Sequence, residues 1–202
     1  MSDKTLTANL VAGFVGHRLE KAGYDQWTNN VCLKKFDLLN NYNHGEDKSS
    51  HVAETMCVVG DEFHDLYFNS FQDMVGSINI HADDLKDVIY KIFDVTCETG
   101  IEWGRITGIF VFSAILAVKA MDCNRTDVVE NIISWTSAYL ESQRYSNWIS
   151  QHNGWAGFVV IYDKPDVGYG HQAEHMLTKA YSVSTHVFSG VASFAKLLLH
   201  ST

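Results

Sequence analysis

Apolar residues recur at three- and four-residue intervals along most of the chain, without sustained alternation, and the 202 residues include a single proline, Pro165. A repeat near 3.6 marks helices that bury one face, so the pattern predicts an all-α fold. The first helix is expected over about Thr7 to Ala22, with Leu10, Phe14, Val15 and Leu19 on its core face and Gly23 placed to end it. The polar stretch from 40 to 50 reads as a surface loop, with Ser50 as N-cap of the next helix. That helix is predicted over about 51 to 75, carrying Val52, Met56, Val59 and Phe63, then Tyr67, Phe71 and Met74, until Gly76 breaks it. A third, over about 83 to 98, carries Leu85, Val88, Ile89, Ile92 and Phe93 and stops at Gly100.

From about Glu102 to Met121 almost no polar face remains, and a helix apolar all round is either a membrane span or the centre of a bundle. Arg105 and Lys119 bracket the apolar run, which falls short of the roughly 20 residues a bilayer demands. The centre of a bundle is therefore the better reading. A partner helix over 127 to 142 completes a hairpin, short helices follow around Trp148 and Trp155, and Pro165, Gly168 and Gly170 mark a break. The expectation is a globular bundle of about eight helices around a central apolar hairpin, one domain over 1 to 170, with a C-terminal helix over 171 to 202.

That last helix is ambiguous. From Ala180 to Leu199 it is long enough to cross a bilayer. Ser182, Ser184, Thr185, His186, Ser189, Ser193 and Lys196 nonetheless make it more polar than an ordinary span. Val183, Val187, Val191, Phe194 and Leu198 instead share one face. The expectation is a conditional tail, either docked on the protein's own surface or weakly anchored in membrane.

Composition narrows the function. With 46% hydrophobic and 19% charged residues the chain can fold, and a net charge of -9 repels phosphate backbones, which argues against nucleic acid as partner. Cys32, Cys57, Cys97 and Cys123 form no Cys-x-x-Cys pair and read as reduced, mostly buried thiols. The N-terminus lacks the apolar stretch of a signal peptide, so a cytosolic start is expected. His171, Glu174 and His175 fit an inverted zinc-hydrolase spacing, yet no Asp or Glu follows His175 to serve as third ligand. A polar helix start is the plainer reading, and the hydrolase stays a minor alternative. No nucleophile motif or phosphate loop is present, so the chain is not expected to be an enzyme or to need a cofactor or metal.

Four segments carry a resemblance, in order. Asn9 to Tyr24 is an amphipathic helix ending in Gly-Tyr; Val52 to Phe63 sets apolar positions around Gly60-Asp61; Gly100-Ile-Glu-Trp-Gly-Arg-Ile106 and Trp148 to Tyr162 follow. Together they resemble the fourth, third, first and second homology regions of the Bcl-2 family of apoptosis regulators.

The resemblance implies a protein that binds the amphipathic death-motif helix of a pro-apoptotic partner in a surface groove. Phe63, Tyr67, Phe71, Met74, Ile92, Phe112 and Tyr162 would line or floor that groove, and Glu102, Trp103, Gly104 and Arg105 would form its polar end. Gly104 would let the partner backbone approach, while Arg105 would meet the partner's Asp in a charge-assisted contact. Val52, Met56, Val59, Gly60, Asp61 and Phe63 would constitute an internal death-motif segment. It departs from the family's usual pattern at Met56, Leu66, Glu102 and Ala156, and an acid at Glu102 is expected to compete for Arg105 or weaken acidic partners. The first helix and Gly154 to Tyr162 look pro-survival, whereas Val58 to Phe63 and Glu98 to Arg105 suit either branch, the latter resembling Bak closely, so a membrane-permeabilising effector is the alternative. The resemblance places the protein in the cytoplasm and at the outer mitochondrial membrane, with the endoplasmic reticulum as a further site.

Overall fold

The computed structural model describes residues 3–25 and 48–162. His171, Glu174, His175 and the expected conditional tail lie outside the described residues, as does Cys32. All regular structure among the described residues is helical: α1 (Asp3–Lys21), α2 (Lys48–Leu66), α3 (Phe68–Gly76), α4 (Leu85–Thr96), α5 (Trp103–Asp122), α6 (Thr126–Leu140), α7 (Gln143–Gln151) and α8 (Gly154–Tyr162).

Helix α5 is the axis. It is 20 residues long and mostly buried inside the protein, packed against α1, α2, α3, α4 and α6. A helix with no polar face needs such a jacket, since each large apolar side chain gains about 1.5–3 kcal/mol on leaving water. Its hydroxyls carry their own acceptors: Thr107 donates to the Trp103 carbonyl at 3.0 Å and Ser113 to that of Ile109 at 2.8 Å. Ser113 also meets Thr136 of α6 at 2.9 Å, so the hairpin buries its hydroxyls with partners, as burial demands. The hairpin turns at Asn124, whose φ of 57 is the left-handed conformation that asparagine tolerates.

Three expectations need correction. The continuous helix over 51 to 75 is two helices meeting at Tyr67, where φ -114 and ψ 18 leave the helical region. Val52, Met56, Val59 and Phe63 face inward along α2, and the chain re-aims so that Phe71, Met74 and Val75 stay buried; the corner leaves Leu66 and Phe68 in solvent. Ser50 is not an N-cap, because α2 starts at Lys48. Of the described thiols only Cys97 is buried, Cys57 being half-buried and Cys123 exposed. Both outer cysteines sit on solvent-facing helix or turn positions that spacing alone does not reveal.

Lys119, which ends the apolar run of α5, crosses to α3. Its Nζ donates to the carbonyls of Val75, Gly76 and Ile78 at 2.8, 3.1 and 2.6 Å. These carbonyls lie at and just beyond the C-terminus of α3, where helical carbonyls lack intrahelical partners and a cation is favoured. At the other end of the molecule Trp155 of α8 donates its indole N–H to the Thr7 hydroxyl of α1 at 2.9 Å.

Candidate functional site

An aromatic row follows the α2–α3 corner. Phe63, Tyr67 and Phe71 are one helical turn apart in sequence, and their ring centroids lie 4.8 Å (Phe63 to Tyr67) and 6.0 Å (Phe63 to Phe71) apart. Gly108 of α5 faces this row, and a Cβ there would just touch the Phe63 ring at 3.8 Å. Phe112, one turn farther along α5, meets Phe93 of α4 edge-on at 5.9 Å. Phe63, Phe71, Met74, Ile92 and Phe112 are buried, while Tyr67 and Tyr162 are half-buried against the same core. Of these seven side chains, then, only the two tyrosines are partly exposed.

The polar end is built where α5 begins. Gly100, with φ +136, turns the chain in a conformation few other residues adopt, and Glu102 follows in extended backbone, immediately before the helix. Trp103 is buried in an aromatic cluster with Trp148, Trp155 and Phe158 at 5.0, 5.5 and 5.7 Å; its indole nitrogen has no partner among the described residues. Gly104 is half-buried. Arg105 is buried, and Nη1 donates to the Gly100 carbonyl at 2.9 Å while Nη2 lies 4.0 Å from the Glu102 carboxylate. Its Nε has no partner among the described residues. Tyr162 of α8 is near enough for the Glu102 charge to act on it: burial first, then that charge, pushes its phenol up to about 12.

The segment containing Gly60 and Asp61 faces α1. A Cβ on Gly60 would stand 2.3 Å from Phe14 Cε2 and 2.5 Å from Cζ, so only glycine permits this approach. Beside it, Asp61 accepts hydrogen bonds from Arg18 Nη1 at 2.7 Å, Lys21 Nζ at 2.6 Å and His17 Nε2 at 2.8 Å. Burial alone would raise the Asp61 carboxyl, but the bonds from His17, Lys21 and Arg18 outweigh it and hold the group well below the usual carboxylate range. Sequence reasoning missed His17, Arg18 and Lys21. Their one available signal was the basic end of α1, which complementing the helix dipole explains equally well.

Residues 56–155 match a family model described as apoptosis regulator proteins of the Bcl-2 family. Among curated proteins the chain is 29% identical over 115 residues to Bcl-2-like protein 1 of Gallus gallus, covering 57% of this chain and 50% of that one. Over 103 residues it is 29% identical to apoptosis regulator Bcl-2 of Gallus gallus, covering 51% of this chain and 44% of the relative. The chain thus spans about half the length of the curated relatives it matches. In structure it resembles Trichoplax adhaerens trBcl-2L2, solved bound to trBak BH3, with a TM-score of 0.66 and 23% identity, covering 80% of this chain and 99% of the other.

Proposed function

The chain belongs to the Bcl-2 family of apoptosis regulators, and from that premise we propose that it is a binding protein and not an enzyme: its groove takes the amphipathic death-motif helix of a pro-apoptotic partner. The carrying observation is that the Phe63, Tyr67 and Phe71 row packs at Gly108 of the central helix, whose first turn also carries the buried Arg105 guanidinium. A helix laid along such a site would seat apolar residues at i, i+4 and i+7 on the aromatic row and its Asp on Arg105. Partners of the kind seen with trBcl-2L2, a BH3 helix, fit that description. Calorimetry with a Bak BH3 peptide tests it. Arg105→Ala is expected to weaken binding by about 2–5 kcal/mol, the usual cost of truncating one side of a desolvated charge pair; unchanged affinity in a folded variant would refute the role.

Within the family we assign a pro-survival role by sequestration. Supporting this, the internal death-motif segment is engaged from within: Val52, Met56, Val59 and Phe63 are buried and Asp61 is held by α1, so the segment is not on offer as a ligand while the protein is closed. The effector reading has one observation on its side: over its full 20 residues the central helix passes for a membrane span by length and composition, although it is mostly buried in the core. Release of contents from liposomes by the purified protein would mark an effector, whereas suppression of release by a known effector would mark a guardian. We place this work at the cytosolic face of the outer mitochondrial membrane with the C-terminal residues as a conditional tail. Deleting residues 176–202 should lower the mitochondrial fraction of the protein in cells, and unchanged fractionation and partner affinity would remove the tail from the scheme.

A further inference from the structure

The Arg105 guanidinium is unevenly satisfied. Nη1 is committed to the Gly100 carbonyl at 2.9 Å. Nε and Nη2 project from the opposite edge of the planar group, the edge that a carboxylate grips with two parallel bonds. On that edge Nε has no partner among the described residues, and Nη2 has only the Glu102 carboxylate at 4.0 Å, beyond hydrogen-bond reach. The Arg105 side chain is 6% exposed, that of Glu102 54%. Glu102 precedes α5 in extended backbone, and its side chain caps no helical N–H. It is therefore a carboxylate standing in water at the mouth of a buried, half-satisfied cation, close enough to act on Tyr162 as well.

From this geometry we propose that Glu102 sorts partners: the Nε/Nη2 edge of Arg105 takes one carboxylate of the incoming helix, and Glu102 selects helices that carry a basic residue beside that carboxylate over helices that carry a second acid there. The inference rests on the groove reading above. A carboxylate seated on the edge comes within a few ångströms of Glu102, and two like charges at that separation repel even with one of them open to solvent on its outer side. A Lys or Arg next to the partner's Asp cancels the repulsion by pairing with Glu102, and a second acid compounds it. Glu102 is thus a specificity-determining residue that leaves the main contact to Arg105.

Two synthetic helical peptides make the test, identical in their apolar positions and Gly-Asp pair and differing only in the residue after Asp, Glu in one and Lys in the other. By fluorescence anisotropy at low salt the wild-type protein should prefer the Lys peptide about tenfold, and the preference should shrink at high salt as screening sets in. In Glu102→Gln, which removes charge at an exposed position and should keep the helical spectrum, the ratio should fall towards one, mainly through tighter binding of the Glu peptide. A third peptide with Lys on its solvent face separates local pairing from attraction to the overall charge of -9, and should bind no better than the Glu peptide. Equal ratios in wild type and Glu102→Gln overturn the sorting role and leave the groove standing. Failure of every peptide to bind overturns the groove reading itself.

Discussion

Asp61 lends itself to a quantitative test. Replacing it with Asn keeps the shape and one acceptor oxygen but removes the charge that draws three cationic or protonatable side chains of α1. The Arg18 contact is the most shielded, with side-chain exposures of 14% and 20% for the two partners. A hydrogen bond to a charged group contributes about 1.5–3 kcal/mol. Lys21 is 52% exposed and counts for little, about 0–1 kcal/mol. Burial of the carboxylate opposes both, so the expected net loss is about 2 kcal/mol. For a protein of this size that shifts the melting midpoint by about 4–8 °C.

The sign with pH follows from linkage. Asp61 has a folded pKa below its unfolded value near 3.9, so its contribution is fully present above about pH 5 and is lost as pH falls through 4 towards the depressed folded value. Urea titrations of wild type and Asp61→Asn should therefore run about 2 kcal/mol apart at pH 6 and converge on acidification. An Arg18→Gln cycle should assign at least half of the difference to that one pair. An Asn variant as stable as the parent at pH 6, or a gap unchanged at pH 3.5, would refute the reasoning.

Gly60→Ala places a methyl group inside the Phe14 ring volume and should cost about 1–3 kcal/mol in denaturant titration, as overpacking does; pairing it with Phe14→Leu should recover part of the loss. Lys119→Met removes the cation that binds three carbonyls at the end of α3. It should cost about 1–3 kcal/mol and speed amide exchange around Ser77 and Ile78, while exchange in α6 stays slow.

The elements that depend on local pattern were legible in the sequence. The unbroken apolar run of α5 predicted a buried axis, and Gly23 marked where α1 would end. The corner at Tyr67 was hidden, because no Gly or Pro marks it and it arises from the direction in which Phe71, Met74 and Val75 find cover. Lys119 read as a mere boundary of an apolar run, since its partners are backbone carbonyls that carry no sequence signature. Of the candidate site, the Trp103-Gly104-Arg105 start of α5 and the apolar positions of α2 were visible as motifs. The inward use of Asp61 was not, for the ion pairs join residues forty or more positions apart. The inward use of Arg105 likewise depends on how the turn at Gly100 brings that residue's carbonyl back to the guanidinium.

The bond between Trp155 and Thr7 joins positions 148 apart in sequence, which sets an order of events during synthesis. The helical hairpin of α5 and α6 involves contacts between near neighbours in the chain, so it can close soon after it leaves the ribosome. Helix α1 emerges before the other described helices, yet its anchor on α8 does not exist until Trp155 has been added. At about 5–20 residues per second that delay is roughly 7–30 s. Throughout it Leu10, Phe14, Val15 and Leu19 have an incomplete site to dock on. Of the described helices α1 is thus the one that waits longest for its full set of partners.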